Sequence, residues 1–175
     1  NNFSKNKDLI DEHGLSFYIE KDTKKILFDT GLGKALFYNA KILNIDLKDI
    51  DYVILSHAHN DHTGRLNEFL KINSRAKVIA HKEIVIEKYS KRTGEMRFIG
   101  LSKDDLDLAR FQFVENTYKL SENIFLYGNL LEYDEAREKN HFVKIKNEYT
   151  PDMSKDEIYL VIKENDYDII ITGCS

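Results

Sequence analysis

The chain has 175 residues, of which 42% are hydrophobic and 32% charged, with ten Tyr, ten Phe and one Pro. That composition excludes a disordered or fibrous chain, and at this length roughly 68–70% of the unfolded surface is buried on folding, enough for one sizeable core. A formal net charge of -4, with Lys and Arg scattered among Asp and Glu, gives no continuous positive field for a phosphate backbone, so nucleic acid is not an expected partner. No apolar run reaches the ~18–20 residues of a membrane span. Cys174 is the single cysteine and cannot form an internal disulfide, which makes the cytoplasm the expected compartment. One domain over residues 1–175 is expected. It looks cut at both ends, because the chain opens at Asn1 without Met and stops at Ser175 directly after an apolar run.

Leu15–Glu20 and Lys24–Phe28 are two short β-rich runs separated by a polar triplet, the pattern of a hairpin. After Asp29-Thr30-Gly31, the apolar residues between Leu32 and Leu43 fall at near-helical spacing. Asp46 is placed to cap a short helical turn, and Tyr52–Leu55 is a continuous apolar run of strand length, suited to burial on both faces. A polar loop, residues 56–64, leads from this strand into a helix carrying Leu66, Phe69 and Leu70 on one face. Ala76–Ala80 reads as a strand and His81 to Tyr89 as a helix. Ser90 to Asp107 reads as a loop with at most one helical turn after Ser102. Strands are expected at Phe111–Val114, Ile124–Tyr127, Phe142–Lys146, Ile158–Lys163 and Asp168–Thr172, with turn residues between them. Strands with interspersed helices on a buried sheet indicate an α/β sandwich.

The chemistry is concentrated in the loop after the apolar strand. His57, His59, Asp61 and His62 place three imidazoles and a carboxylate within six positions, and such donors suit Zn²⁺, Fe or Mn²⁺. The alternative, a solvated histidine-rich loop, ignores its position at the carboxyl end of a buried strand, where α/β sheets collect ligands. His57 and His59, two apart in an extended segment, project to the same side and can grip one ion. Asp61 and His62 can reach a second. Two ions about 3.5–4 Å apart would share a water of pKa about 7, providing hydroxide at neutral pH.

The His-x-His-x-Asp-His run resembles the signature of the metallo-β-lactamase superfamily, and Phe28-Asp29-Thr30-Gly31 looks like its first motif. The segments Glu12-His13-Gly14-Leu15-Ser16 and Ile170-Ile171-Thr172-Gly173-Cys174-Ser175 are similar to those of one subgroup. Its members are metal-dependent hydrolases related to the 7,8-dihydropterin-6-ylmethyl-4-(β-D-ribofuranosyl)aminobenzene 5′-phosphate synthase. The resemblance implies an αββα sandwich, here incomplete at both ends, with a dinuclear metal site that is usually zinc, iron and manganese being alternatives. By motif matching, His57 and His59 would bind the first ion, Asp61 and His62 the second, with Asp61 also the catalytic residue. Asp29 would sit beneath the site and position the loop, a role weighed against that of a simple turn residue. A third His completing the first ion's ligands would follow Ser175; with two histidines alone the first ion should be held weakly, so this segment by itself is expected to be inactive and the functional expectation is for a longer parent protein. His59, where flavodiiron-type relatives carry glutamate, favours hydrolysis.

Other candidates carry plainer readings. His81 reads as a surface residue at a helix start, His141 as solvent-facing, and Cys174 as a small residue in a tight turn rather than a thiolate ligand. His13 is either a turn residue or part of a substrate pocket. The acidic residues Asp152, Asp156 and Glu157 read as a solvated face. The expected function is a hydrolase acting on a small-molecule ester, lactone or phosphate-type substrate. A non-catalytic metal-binding or interaction module is the alternative.

Overall fold

The computed structural model describes residues 4–104, 106–128 and 139–174. The hairpin forms as expected: strands β1 (Phe17–Lys21) and β2 (Lys24–Phe28) run antiparallel through a turn whose Asp22 and Thr23 take positive φ. Helix α1 (Ala35–Ile42) buries Leu36 and Ala40, and the Asp46 carboxylate accepts the Lys48 backbone N–H to cap a 3-10 turn at Leu47–Asp49. Strand β3 (Tyr52–Ile54) then enters parallel to β2. The second half of the polar loop is itself a short helix, α2 (Asn60–Thr63), followed by α3 (Leu66–Ile72) and by β4 (Lys77–His81), parallel to β3.

The helix expected from His81 to Tyr89 does not form. A 3-10 turn at Lys82–Val85, capped by the His81 ring, gives way to strand β5 (Glu87–Ser90). Ile84, Val85 and Ile86 are β-branched and stiff at χ1, and a strand far along the chain supplies the pairing that a local reading cannot see. Residues 90–107 also hold more structure than a loop: β6 (Arg97–Phe98) pairs with β5. The helical turn expected after Ser102 lies later, a 3-10 turn at Leu108–Arg110. Then come β7 (Phe111–Val114), β8 (Thr117–Lys119), β9 (Ile124–Gly128), β10 (His141–Ile145), β11 (Glu148–Pro151), β12 (Ile158–Lys163) and β13 (Asp168–Ile171). β8 and β11 escape sequence reading because they are short and polar; β11 is a sheet edge, where Pro151 is tolerated.

Among the described residues three sheets result, ordered β1-β2-β3-β4-β7, β11-β10-β5-β6 and β13-β12-β9-β8. The first is parallel from β2 onward and buried on both faces, so alternate side chains enter two different cores. Leu27, Val53, Leu55, Val78 and Ala80 face the helices with Leu36, Ala40 and Phe69. Ile26, Phe28, Ile54 and Ile79 face the third sheet with Ile124, Leu126, Ile158 and Leu160. Each fully buried Ile, Leu or Phe contributes about 1.5–3 kcal/mol relative to exposure, and this double core is the rigid base from which the loop after β3 projects. Among the described residues, no helix is long and apolar enough to cross a membrane.

Candidate metal centre

The loop that follows β3 is anchored by backbone and side-chain bonds on two sides. On one side stands Asp29, fully buried and held at φ 60°, a left-handed conformation that a non-glycine residue adopts only when its surroundings over-determine it. Its Oδ1 accepts the Ser56 N–H at 2.7 Å; its Oδ2 accepts the Ser56 hydroxyl at 2.7 Å and His62 Nδ1 at 2.6 Å. Thr30 adds its own N–H and hydroxyl to the His62 carbonyl, at 2.6 and 3.0 Å. Gly14 has φ +121°, and a Cβ there would stand 2.2 Å from the Asp61 carbonyl oxygen. Only glycine lets the 12–16 segment close over this loop, where Leu15 N–H reaches that same carbonyl at 3.2 Å.

The four side chains singled out by the sequence stand as two contacting pairs, His57 with His59 and Asp61 with His62, joined where the His57 and His62 rings meet. His57 and His62 are each 3% exposed, with ring centroids 4.3 Å apart; His59 lies edge-on to His57 at 4.6 Å. Asp61 Oδ2 is 3.4 Å from His62 Nε2. The hydrogen bonds assign the outer nitrogens. The Ser56 hydroxyl donates to Asp29, so its oxygen is free to accept His57 Nδ1–H at 2.9 Å, which leaves the His57 Nε2 lone pair aimed at His59 Nδ1, 3.0 Å away. His62 likewise gives Nδ1–H to Asp29 and turns Nε2 inward. Inward nitrogens backed by outer acceptors are the arrangement of metal-binding imidazoles, and separations of 3.0–3.4 Å match the about 3.3 Å between donors around a tetrahedral zinc. The residues present therefore fit a divalent cation.

Cys174 enters this cluster, against the sequence expectation of a plain turn residue. Its Sγ is 3.2 Å from His62 Nε2, and one ligand atom each from His57, His62 and Cys174 lie within 4.8 Å of one another. Hydrogen bonds with His59 and His62 lower the thiol to about 7. Gly173 makes the approach possible, since a Cβ there would meet Ser56 Oγ at 2.3 Å. Ser175, the last residue of that segment, lies outside the described residues. His13 reaches Asp61 Oδ2 at 3.3 Å from the rim. Burial would raise the Asp61 carboxyl, but His62 and His13 beside it hold it below its usual value.

Three readings are corrected. His141 is half-buried, its ring edge-on to His59 at 4.9 Å, because β10 pairs with β5 and brings His141 opposite Ser90. His81 is buried rather than a surface residue: its Nδ1 accepts the Glu83 N–H at 3.2 Å, and burial lowers its pKa. Asp152, Asp156 and Glu157 are not a solvated face but are 4%, 2% and 9% exposed; the two aspartates gather around Lys88, itself buried, and Glu157 accepts the Tyr159 hydroxyl at 3.0 Å. Lys88 Nζ donates to Asp152 Oδ2 at 2.7 Å and to Asp156 Oδ1 at 2.6 Å. Asp156 Oδ2 accepts the Ala58 N–H at 2.7 Å, and Asp152 Oδ2 stands 3.7 Å from His59 Nε2. Burial would raise Asp152, but His59 and Lys88 beside it hold it well below the carboxylate range. The one signal in the sequence was Lys88 on the same alternation as Ile86 and Ser90, a charge at an inward position.

A profile described as metallo-beta-lactamase superfamily matches residues 9–152. Protein MJ0448 of Methanocaldococcus jannaschii is 32% identical over 97% of this chain and 65% of its own length. The 7,8-dihydropterin-6-methyl-4-(beta-D-ribofuranosyl)-aminobenzene-5'-phosphate synthase of the same organism is 34% identical over 94% of this chain and 61% of its own. The crystal structure of Tm1679, a metal-dependent hydrolase of the beta-lactamase superfamily, superposes with a TM-score of 0.79 at 32% identity, covering 98% of this chain and 62% of that one. The chain thus spans a little under two thirds of the length of these relatives.

Proposed function

Because the chain belongs to the metallo-beta-lactamase superfamily, we propose that it carries the metal-binding core of a metal-dependent hydrolase that takes a small-molecule ester, lactone or phosphate-type substrate. The observation that carries this reading is the pairing of His57 with His59 and of Asp61 with His62, with the outer nitrogens of His57 and His62 already committed to Ser56 and Asp29. His57 Nε2 and His59 Nδ1 would hold one divalent ion and Asp61 and His62 a second, most suitably zinc given the nitrogen-rich donor set. Such ions supply Lewis acidity and make a water acidic enough to ionise near neutral pH. The chain's own residues fix the donors: Asp29 sets the His62 ring, Ser56 the His57 ring, and Leu15 and Thr30 tie down the carbonyls of Asp61 and His62. Asp61 is the proposed catalytic carboxylate, and its depressed pKa keeps it an anion able to bind a cation or orient a water at neutral pH.

A second reading rests on the synthase relative, similar over nearly the whole chain: the same centre would serve a group-transfer reaction on a phosphorylated substrate in place of hydrolysis. One experiment addresses both. Metal content is measured in the whole protein to which this chain belongs, and turnover of ester, lactone and phosphodiester panels is followed with and without chelator. Two bound ions and chelator-sensitive hydrolysis are expected, with His59→Ala losing metal and activity together. Metal-loaded protein that cleaves none of the panel would turn the assignment to group transfer or a binding module. Full metal content in His59→Ala would overturn the ligand assignment.

A further inference from the structure

The histidine loop has a second support that none of the motifs describes. Lys88, on β5, is 2% exposed and bound to two carboxylates that are equally inaccessible, Asp152 and Asp156. One lysine needs one carboxylate for neutrality, so a purely structural ion pair would leave the second acid unexplained; buried charge persists only where it is paired and hydrogen-bonded. All four oxygens have a donor or face one. Asp156 Oδ1 takes Lys88 and Oδ2 takes the Ala58 N–H; Asp152 Oδ1 takes the Ser154 N–H at 2.9 Å, and Oδ2 takes Lys88 while facing His59 Nε2. The two outward links fall on consecutive residues of the histidine loop.

His59 Nε2 is buried and, among the described residues, has no partner at hydrogen-bond distance. At 3.7 Å, Asp152 Oδ2 is a small ring rotation away from accepting it. The tautomer follows from electrostatics. A lone pair on Nε2 would confront the carboxylate, whereas a proton there is attracted to it, and the remaining lone pair then falls on Nδ1. That lone pair faces the one on His57 Nε2 across 3.0 Å, a contact that only a shared cation or proton makes favourable.

We propose that Asp152, held in place by buried Lys88 and Asp156, is a positioning residue that accepts the His59 Nε2 proton and thereby presents His59 Nδ1, together with His57 Nε2, as a donor pair for a divalent cation. The inference rests on the metal-centre reading above and adds residues to it that lie 29 to 97 positions from the loop's His59. Asp152→Asn is the sharpest variant, because Lys88 keeps Asp156 as its partner and the side-chain shape is preserved.

Two measurements test it on the full chain. Zinc affinity by chelator competition should fall about 10- to 100-fold for one ion in Asp152→Asn while the other ion is held as before, the usual consequence of losing the acceptor behind a metal-bound imidazole. A general loss of structure would weaken both ions equally, and that result would overturn the proposal. Independently, the ring nitrogens of His59 are read by nitrogen-15 NMR in zinc-loaded wild-type protein, where a cation replaces the proton between His57 Nε2 and His59 Nδ1. The proton should sit on Nε2, and on Nδ1 or both in Asp152→Asn. A wild-type ring protonated on Nδ1 would sink the proposal even if the variant did not fold. Wild-type protein that takes up no zinc would instead overturn the functional reading on which the proposal rests, whereas zinc-loaded protein with His59 protonated on Nδ1 overturns the proposal alone.

Discussion

The histidine loop is held from two sides, and the two supports are built from the same parts in different ways. On the β2 side a lone carboxylate, Asp29, binds the Ser56 backbone N–H and the His62 ring; it is fully buried, and among the described residues no Lys or Arg pairs with it. On the far side the work is divided. Asp156 takes the Ala58 backbone N–H, Asp152 faces the His59 ring, and Lys88 neutralises part of the paired charge. Both supports therefore join a loop amide to a loop imidazole through carboxylate oxygens. They differ in what balances the charge: the Asp29 side depends on the histidine, and the Lys88 side carries its own cation. The first should be sensitive to whatever occupies the metal centre and the second largely indifferent to it.

The largest effect should come from Lys88→Met. It leaves Asp152 and Asp156 buried with no cation, and breaking a buried pair by removing one partner costs about 3–5 kcal/mol. Denaturant unfolding of the metal-free protein measures this. A triple variant, Lys88→Met with Asp152→Asn and Asp156→Asn, removes the uncompensated charges and should recover most of that stability without recovering metal affinity. Unchanged stability in the single variant would mean that the network is open to water.

Next in size is Asp29→Asn. The hydrogen bonds from Ser56 and His62 to a carboxylate are charge-assisted, and losing that assistance costs about 1.5–3 kcal/mol. Here the comparison sharpens: affinity should fall most for the ion assigned to Asp61 and His62 and less for the His57 and His59 ion, which Asp29 reaches only through Ser56, the reverse of the order in Asp152→Asn. Equal loss at both ions in chelator competition would show that the two supports act as one.

The same contrast explains what could be read in advance. His57, His59, Asp61 and His62 are four donors within six residues, so proximity along the chain nearly equals proximity in space; Asp29, 27 residues before Ser56, was marked instead by its motif directly after an apolar strand. The parallel strands were legible for a similar reason: Ile26–Phe28, Val53–Leu55 and Val78–Ala80 are short, apolar and β-branched or aromatic, and burial on both faces leaves no polar alternation to confuse them. Lys88 and its partners lie 64 and 68 residues apart, joined only once β5 pairs with β10 and the 152–157 segment folds back. Charged residues read singly belong in water, and nothing local reveals that three of them satisfy one another. The helix expected over 81–89 failed for the same cause, since its strand partner lies some fifty residues downstream.

The smallest effect separates a ligand from a neighbour. His141 belongs to the Lys88 side: it is the first residue of β10, its carbonyl accepts the Asp152 N–H at 3.0 Å, and its ring stands edge-on to His59 with centroids 4.9 Å apart. An edge-on aromatic pair is worth about 0.5–1.5 kcal/mol beyond its buried area, and the backbone bond to Asp152 survives any side-chain change. His141→Ala should therefore cost stability in that range and leave both metal affinities as they were, because the His59 ring is held through Nε2 and its Nδ1 points toward His57. If zinc affinity fell in step with Asp152→Asn, His141 would be a donor to the cation rather than packing beside one. The Lys88 side would then contribute a ligand of its own, and the likeness between the two supports would end there.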